Sequence, residues 1–136
     1  MSHSPRLLFV NLPVADVVRS RAFFTALGFT FNEQFSDDTA ICMVVNEGAF
    51  YMLLSHAKFA SFTPRHVVIP SGGVAAYNAF SVASRDEVDG LFARAIEAGG
   101  SDGEHTEDHG FMYSRTFFDP DGHCWEGFWM DPAAVG

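Results

Sequence analysis

The stretch FFDPDGHCWEGFWMDP, residues 117–132, sets one carboxylate, Glu126, among Trp125, Phe128 and Trp129. An acid in such apolar company is either a ligand for something or a group that needs a partner or a proton to be tolerated. Other side chains capable of chemistry lie nearby or at corresponding places. EHTEDH at 104–109 carries His105 and His109 four apart. On a helix that spacing would put both on one face and suit a metal. Here the segment precedes a strand and lacks apolar periodicity, so it reads as solvated, with His109-Gly110 as a turn. His56 closes an apolar run and can reach inward as a ligand. His123 has the opposite parity to Glu126 and should face away from it. The two cysteines, Cys42 and Cys124, are expected to be free and buried.

These residues need elements to hold them. Residues 6–14, RLLFVNLPV, alternate with period two and predict a strand. Leu7, Phe9 and Asn11 share one face; Leu8, Val10, Leu12 and Val14 share the other. Asp16 can cap a helix over roughly 17–27, with Val17, Phe24 and Leu27 on one stripe and Gly28 as the stop. Strand-like runs follow at 29–35, 39–46 and 49–56, with NEG at 46–48 as a hairpin turn. A connector at 57–74 contains Pro64, Pro70, Gly72 and Gly73 and is no single regular element. The pattern then restarts. AYNAFSVAS predicts a strand, Ser84 and Glu87 a capping box, and Val88, Leu91, Phe92, Ala95 and Ile96 a helical stripe ending at Gly99-Gly100. Further strands are expected near 103–108, 111–118 and 123–130, with DPDG turning the last two.

Strand, helix and three strands therefore occur twice. The expected fold class is α+β: two βαβββ repeats forming a curved, partly open mixed sheet around a cleft, with helices outside. The 136 residues read as a single domain, with repeat one at about 6–56, the connector at 57–74 and repeat two at about 75–131. A formal net charge of −9 argues against a nucleic-acid partner. No apolar run suits a membrane span, and MSHSPRLLFVNLPV does not read as a secretory signal, so a cytoplasmic protein is expected. Aromatics at 15%, including 15 Phe, are enough to wall an apolar pocket as well as a core.

FVNLPVADVVRSRAFFTALGF at 9–29, SVASRDEVDGLFARAIEAGG at 81–100 and FFDPDGHCWEGF at 117–128 together resemble the vicinal-oxygen-chelate superfamily. That superfamily includes glyoxalase I, bleomycin-resistance proteins, fosfomycin-resistance transferases and extradiol dioxygenases. The resemblance spans essentially the whole chain and is strongest to small bacterial proteins labelled predicted lactoylglutathione lyases, as in EDHGFMYSRTFFDPDGHCWEGFWMDP at 107–132. It implies a divalent metal held from the first, fourth, fifth and eighth strands, binding two neighbouring substrate oxygens. Carried over by motif, those positions are Phe9, a residue near Leu53, Tyr77 and Glu126. Only Glu126 is a usual ligand, with His56 as the substitute to consider. The expectation is no cofactor, a divalent metal remaining the alternative.

Parity assigns Leu7, Phe9 and Asn11, then Tyr77, Ala79 and Ser81, then Cys124, Glu126, Phe128 and Met130 to the inner face. For the seventh strand the resemblance favours Met112, Ser114, Thr116 and Phe118 over Tyr113, Arg115 and Phe117. Arg115 is then either an acid's partner or a surface charge. Trp125 and Trp129 should pack beneath the helices. The candidate catalytic pair is Glu126 and Tyr77; Phe9, Asn11, Ser81, Ser114, Thr116 and Phe128 are the candidate ligand contacts. Tyr77 and Asn11 are the candidate partners for Glu126. The alternative is that Phe9 and Tyr77 plug the cavity as core.

The function expected is a glyoxalase/bleomycin-resistance-like protein with a degenerate metal site, binding or transforming an apolar or cationic small molecule. The alternative is a metal-dependent lyase of the lactoylglutathione type using Glu126. KFASFTPRHVVIP at 58–70 is apolar for a connector and should cover the cleft or meet a second subunit, and a homodimer is expected from the resemblance.

Overall fold

A computed structural model describes residues 5–135. The chain divides into two compact units that meet between Ile69 and Pro70, inside the expected connector. Each unit repeats the same order of elements, and each is described by itself.

In the first unit, β1 (Leu8–Val14) leads into α1 (Val17–Ala26). Asp16 ends the strand because its carboxylate accepts the N–H groups of Val18 and Arg19 at 2.9 and 3.2 Å, satisfying donors the first helical turn leaves open. α1 buries Val17, Ser20, Phe23 and Phe24. The unit continues with β2 (Thr30–Phe31), β3 (Ala40–Asn46) and β4 (Ala49–Ser55), in the order β1-β4-β3-β2. β1 runs parallel to β4; the other pairs are antiparallel.

The expected strand at 29–35 stops at Phe31 and gives way to a 3₁₀ turn, Glu33–Phe35. Asn32 causes this. Its side chain accepts the Gln34 N–H at 3.0 Å, and its carbonyl accepts the Ser36 hydroxyl at 2.7 Å, so local bonds outcompete the ladder. The fourth strand also ends one residue early. Ser55 caps a short helix, α2 (His56–Ala60), so His56 opens a helix instead of closing a strand. A hydroxyl cap followed by HAKFA was the signal for it.

In the second unit, β5 (Tyr77–Ser81) leads into α3 (Arg85–Glu97). The Ser84 hydroxyl accepts the Glu87 N–H at 3.1 Å, and the Glu87 carboxylate reaches back to the Ala83 N–H at 3.1 Å. α3 buries Val88, Leu91 and Ala95, while Ile96 is exposed. Next come β6 (Ser101–Asp108), β7 (Met112–Phe118) and β8 (Cys124–Met130), in the order β5-β8-β7-β6, with β5 parallel to β8. A short α4 (Pro132–Val135) follows. The fold is α+β with two βαβββ repeats, each a four-stranded mixed sheet carrying a helix.

The strand expected near 103–108 forms as part of β6 and is largely exposed, as expected of a solvated segment. Thr106, Glu107 and Asp108 pair with β7 beyond a bulge between Asp102 and Thr106, and the chain turns at His109-Gly110. No helix of the described residues is long and apolar enough to cross a membrane.

The β7–β8 turn is held by one buried carboxylate. Asp119 accepts the N–H groups of Asp121 at 2.9 Å and His123 at 3.0 Å, and the Trp125 indole N–H at 2.9 Å. Asp119 and His123 are buried, and Trp125 is fully enclosed. Burial pushes the Asp119 carboxyl above its ordinary value, opposed by His123 and by these donors. A carboxyl that titrates higher in the fold than in the unfolded chain favours the folded state most in acid. That contribution disappears as pH rises through the folded value.

Replacing Asp119 with Ala orphans a buried indole N–H and two turn amides, and should cost about 2–4 kcal/mol in denaturant unfolding. Gly122 lies at φ +93°, and a methyl group there would collide with the Pro70 carbonyl. Gly122→Ala should therefore lower stability by at least about 1–2 kcal/mol, read as a fall in Tm.

Candidate functional site

Glu126 lies on β8, and the strand register names its companions. Across β5 its neighbour is Ala79; across β7 it is Thr116. One step along, Tyr77 pairs with Cys124 and Cys124 with Phe118. In the other direction Ser81 pairs with Phe128 and Phe128 with Ser114. Directly paired residues share a face, so Tyr77, Ser81, Ser114, Thr116, Glu126 and Phe128 all stand on one side of this sheet.

Glu126 is half-buried, and its side chain forms no hydrogen bond or ion pair with a described residue. The partner expected of Tyr77 is therefore not made: Tyr77 is 58% exposed and sits diagonal to Glu126. The half-open position explains why no partner is needed, since solvent reaches the carboxylate. Cys124 is buried, and its thiol is pushed up by burial, with the Glu126 and Asp119 charges adding to the shift.

Two hydroxyls on this face are enclosed. Thr116 donates to the His105 carbonyl at 3.2 Å, and its contact leaves room only for glycine at Gly103. Ser114 is 1% exposed, and its Oγ has no hydrogen-bond partner among the described residues. A buried hydroxyl left unpaired costs about 1–3 kcal/mol, so its retention calls for a reason.

The opposite face belongs to α3. Trp125 meets Phe80 edge to face at 6.4 Å between centroids, and Leu91 packs where any side chain at Gly127 would stand. Arg85 lies over the Tyr113 and Trp129 rings at 4.5 and 5.8 Å. Arg115 covers the Phe92 ring at 3.6 Å and bonds Asp89 at 3.2 Å, and Asp89 also accepts the Tyr113 hydroxyl at 2.6 Å. Arg115 thus serves the helix–sheet contact and is turned away from Glu126.

Phe9 and Asn11 belong to the first unit. Phe9 stacks on Phe50 at 4.8 Å between centroids, on β1 and β4. With Asn11 it lines a groove of about 890 Å³ whose other wall is α2 and the chain after it: Phe59, Phe62, Arg65 and His66. The apolar segment at 58–70 signalled a wall here, but its individual residues were not legible as contacts. His56 is half-buried, with Nε2 lacking a partner among the described residues.

The register also corrects the fourth-strand position. Asn11 pairs with Met52 in the first unit, as Ala79 pairs with Glu126 in the second. The counterpart of Glu126 is therefore Met52, while Leu53 pairs with Leu12 on the other face. The positions that the resemblance gives for a metal are then Phe9 and Met52 in the first unit and Tyr77 and Glu126 in the second. One carboxylate, one thioether, one phenol and one phenyl ring do not fit a divalent ion that takes imidazole and carboxylate. Among the described residues no three His, Cys, Asp or Glu side chains gather to hold a metal. His105 and His109 flank Glu107 at 3.2 and 3.5 Å on exposed β6, which is a surface ion pairing.

Residues 6–46 match the family model described as bleomycin resistance protein-like N-terminal. Comparison with curated proteins gives no match. Among solved structures, a glyoxalase-related enzyme from Fulvimarina pelagi superposes with TM-score 0.78 at 21% identity, over 91% of this chain and 87% of that one. A glyoxalase/bleomycin resistance protein/dioxygenase family enzyme from Burkholderia phytofirmans PsJN gives 0.75 at 20%, over 93% and 99%. A lactoylglutathione lyase from Agrobacterium tumefaciens gives 0.66 at 18%, over 93% and 95%. Identities this low speak for the fold and leave the chemistry to the site. With two βαβββ repeats of this topology and a bleomycin-resistance-like first repeat, the chain has the fold of the glyoxalase/bleomycin-resistance structures it matches.

Proposed function

We propose that this protein binds an apolar small molecule and does so without a bound metal. The observation that carries the reading is the enclosed, unpartnered Ser114 hydroxyl on the same sheet face as the half-buried Glu126 carboxylate. Aromatic and aliphatic side chains with a few fixed polar groups are the usual composition of a small-molecule site. In this reading Phe128 and Tyr77 supply apolar contact. Ser81, Ser114 and Glu126 offer hydrogen bonds that orient a ligand, with Glu126 as the acceptor. The lyase activity for which the similar Agrobacterium protein is named is not carried over, because the donor set here does not fit the metal such chemistry calls on.

A thermal-shift screen of small aromatic and aliphatic compounds tests the binding reading. Ligands should raise Tm by a few degrees at concentrations well above Kd. Ser114→Ala should keep the fold and weaken binding by about tenfold, the loss of one hydrogen bond. A screen in which nothing raises Tm would remove the proposal. Metal content after incubation with Zn, Ni, Mn or Fe(II) should stay far below one ion per chain, in wild type and in Glu126→Gln alike. Stoichiometric metal that disappears in Glu126→Gln would restore the lyase reading, with His56 as the first further ligand to examine.

The same reading includes a homodimer. Exposed Leu7, Leu8, Val68 and Ile69 support it, since apolar side chains of this size are unfavourable in water. Light scattering that returns only monomer at high micromolar protein would remove that part.

A further inference from the structure

The groove of the first unit differs in charge from the protein around it. The chain carries 17 Asp and Glu, yet none lies between Glu47 and Asp86. The groove lining accordingly contains no carboxylate, and it contains Arg65 and His66. Lys58 adds a third basic group, with its ammonium 5.4 Å from the centre of the Phe62 ring. Three guanidinium groups elsewhere are engaged: Arg21 with Glu33, Arg85 with Asp108, Arg115 with Asp89. Arg65 makes no ion pair among the described residues; its one bond is from its own N–H to Thr63 Oγ1 at 3.0 Å. That bond uses the Thr63 oxygen as acceptor and leaves its hydroxyl hydrogen to be given away. The Asn11 side chain is also without a bond to any described residue.

The apolar part is as clear. Phe9, Phe59 and Phe62 line the groove, and Phe9 is fixed by its stack on Phe50. A volume of about 890 Å³ is in the range of a site for a drug-sized molecule. The negative field of the whole protein draws cations at long range, but it is screened within about 10 Å at ordinary ionic strength. Within the groove, nearby groups decide. A guanidinium binds carboxylate through two parallel hydrogen bonds, which a cation or a neutral amide cannot use.

We infer that this groove binds an amphipathic organic anion, a molecule with an aromatic or aliphatic body and a carboxylate. The body lies against Phe59, Phe62 and Phe9. The carboxylate meets Arg65, with His66 and the Thr63 hydroxyl beside it. The inference goes beyond the small-molecule reading above, adding in the first unit a site for an anionic ligand where overall charge suggested a cationic one.

The test compares three probes with one ring system, naphthoate, naphthamide and naphthylmethylammonium, titrated into the full chain and followed by heteronuclear NMR. Naphthoate should bind roughly tenfold or more tightly than the other two, one good charge-assisted pair's worth. Its shifts should centre on residues 9–11 and 59–66. Arg65→Gln should remove the preference for naphthoate while retaining the wild-type Tm, because Arg65 is exposed and pairs with nothing. Equal affinities, a preference for the ammonium probe, or an unchanged preference in Arg65→Gln would overturn the inference. Naphthoate shifts confined to β5, β7 and β8 would overturn it while leaving the small-molecule reading in place. No binding by any probe would also overturn it, and the broader thermal-shift screen decides separately whether the wider reading falls too.

Discussion

The orientation of Glu126 depends on the carboxylate of Asp119. Alternate strand residues point to opposite faces, so a slip of one residue between β7 and β8 would exchange Glu126 with Trp125. Asp119 opposes that slip from inside the turn. It holds two backbone amides of the loop with one oxygen and the indole of Trp125 with the other. Trp125 is thereby fixed to the α3 side, where its ring is fully enclosed, and Glu126 is committed to the other. The carboxylate costs something to bury, and the three donors offset much of that cost.

A second set of contacts keeps Arg115 away from the candidate site. Asp89 of α3 accepts from both Tyr113 and Arg115, and Arg115 lies flat on Phe92. The seventh strand therefore turns its cation toward the helix and its small hydroxyls, Ser114 and Thr116, toward the face of Glu126. On that side of the second unit stand Glu126 and also Glu107 of β6, which pairs with Ser114 and has His105 and His109 beside it. The first unit's groove differs, with Arg65 and His66 and no acid. Two repeats of one topology have thus diverged at equivalent places. Met52 stands where Glu126 stands, and Phe9 where Tyr77 stands.

Sequence logic was most reliable where the rule is local. Asp16, Ser84 with Glu87, and DPDG each act within four or five residues, and each forms the cap or turn its pattern requires. Period-two alternation sorted Trp125 from Glu126 for the same reason, because successive side chains must part. Local rules also account for the misses. Asn32 and Ser55 are short polar residues that bond neighbouring backbone, and each ended a strand that apolar content alone would have continued.

The sequence by itself determined the order of the eight strands, the repeat, the starts of α1 and α3 and the face on which Glu126 stands. Tertiary structure decided what those faces meet. Whether Leu53 or Met52 matches Glu126 depends on the register between β1 and β4, strands about 40 residues apart in the chain. Arg115 finds Asp89 because α3 lies over the sheet, a pairing 26 residues long that no spacing rule encodes. The wall of Phe59, Phe62, Arg65 and His66 forms only because α2 turns the chain back over β1. Caps and alternation are short-range and therefore written locally. Register, charge pairing and pocket walls are set by packing among distant segments, where many placements satisfy the same local rules and the buried surface selects one.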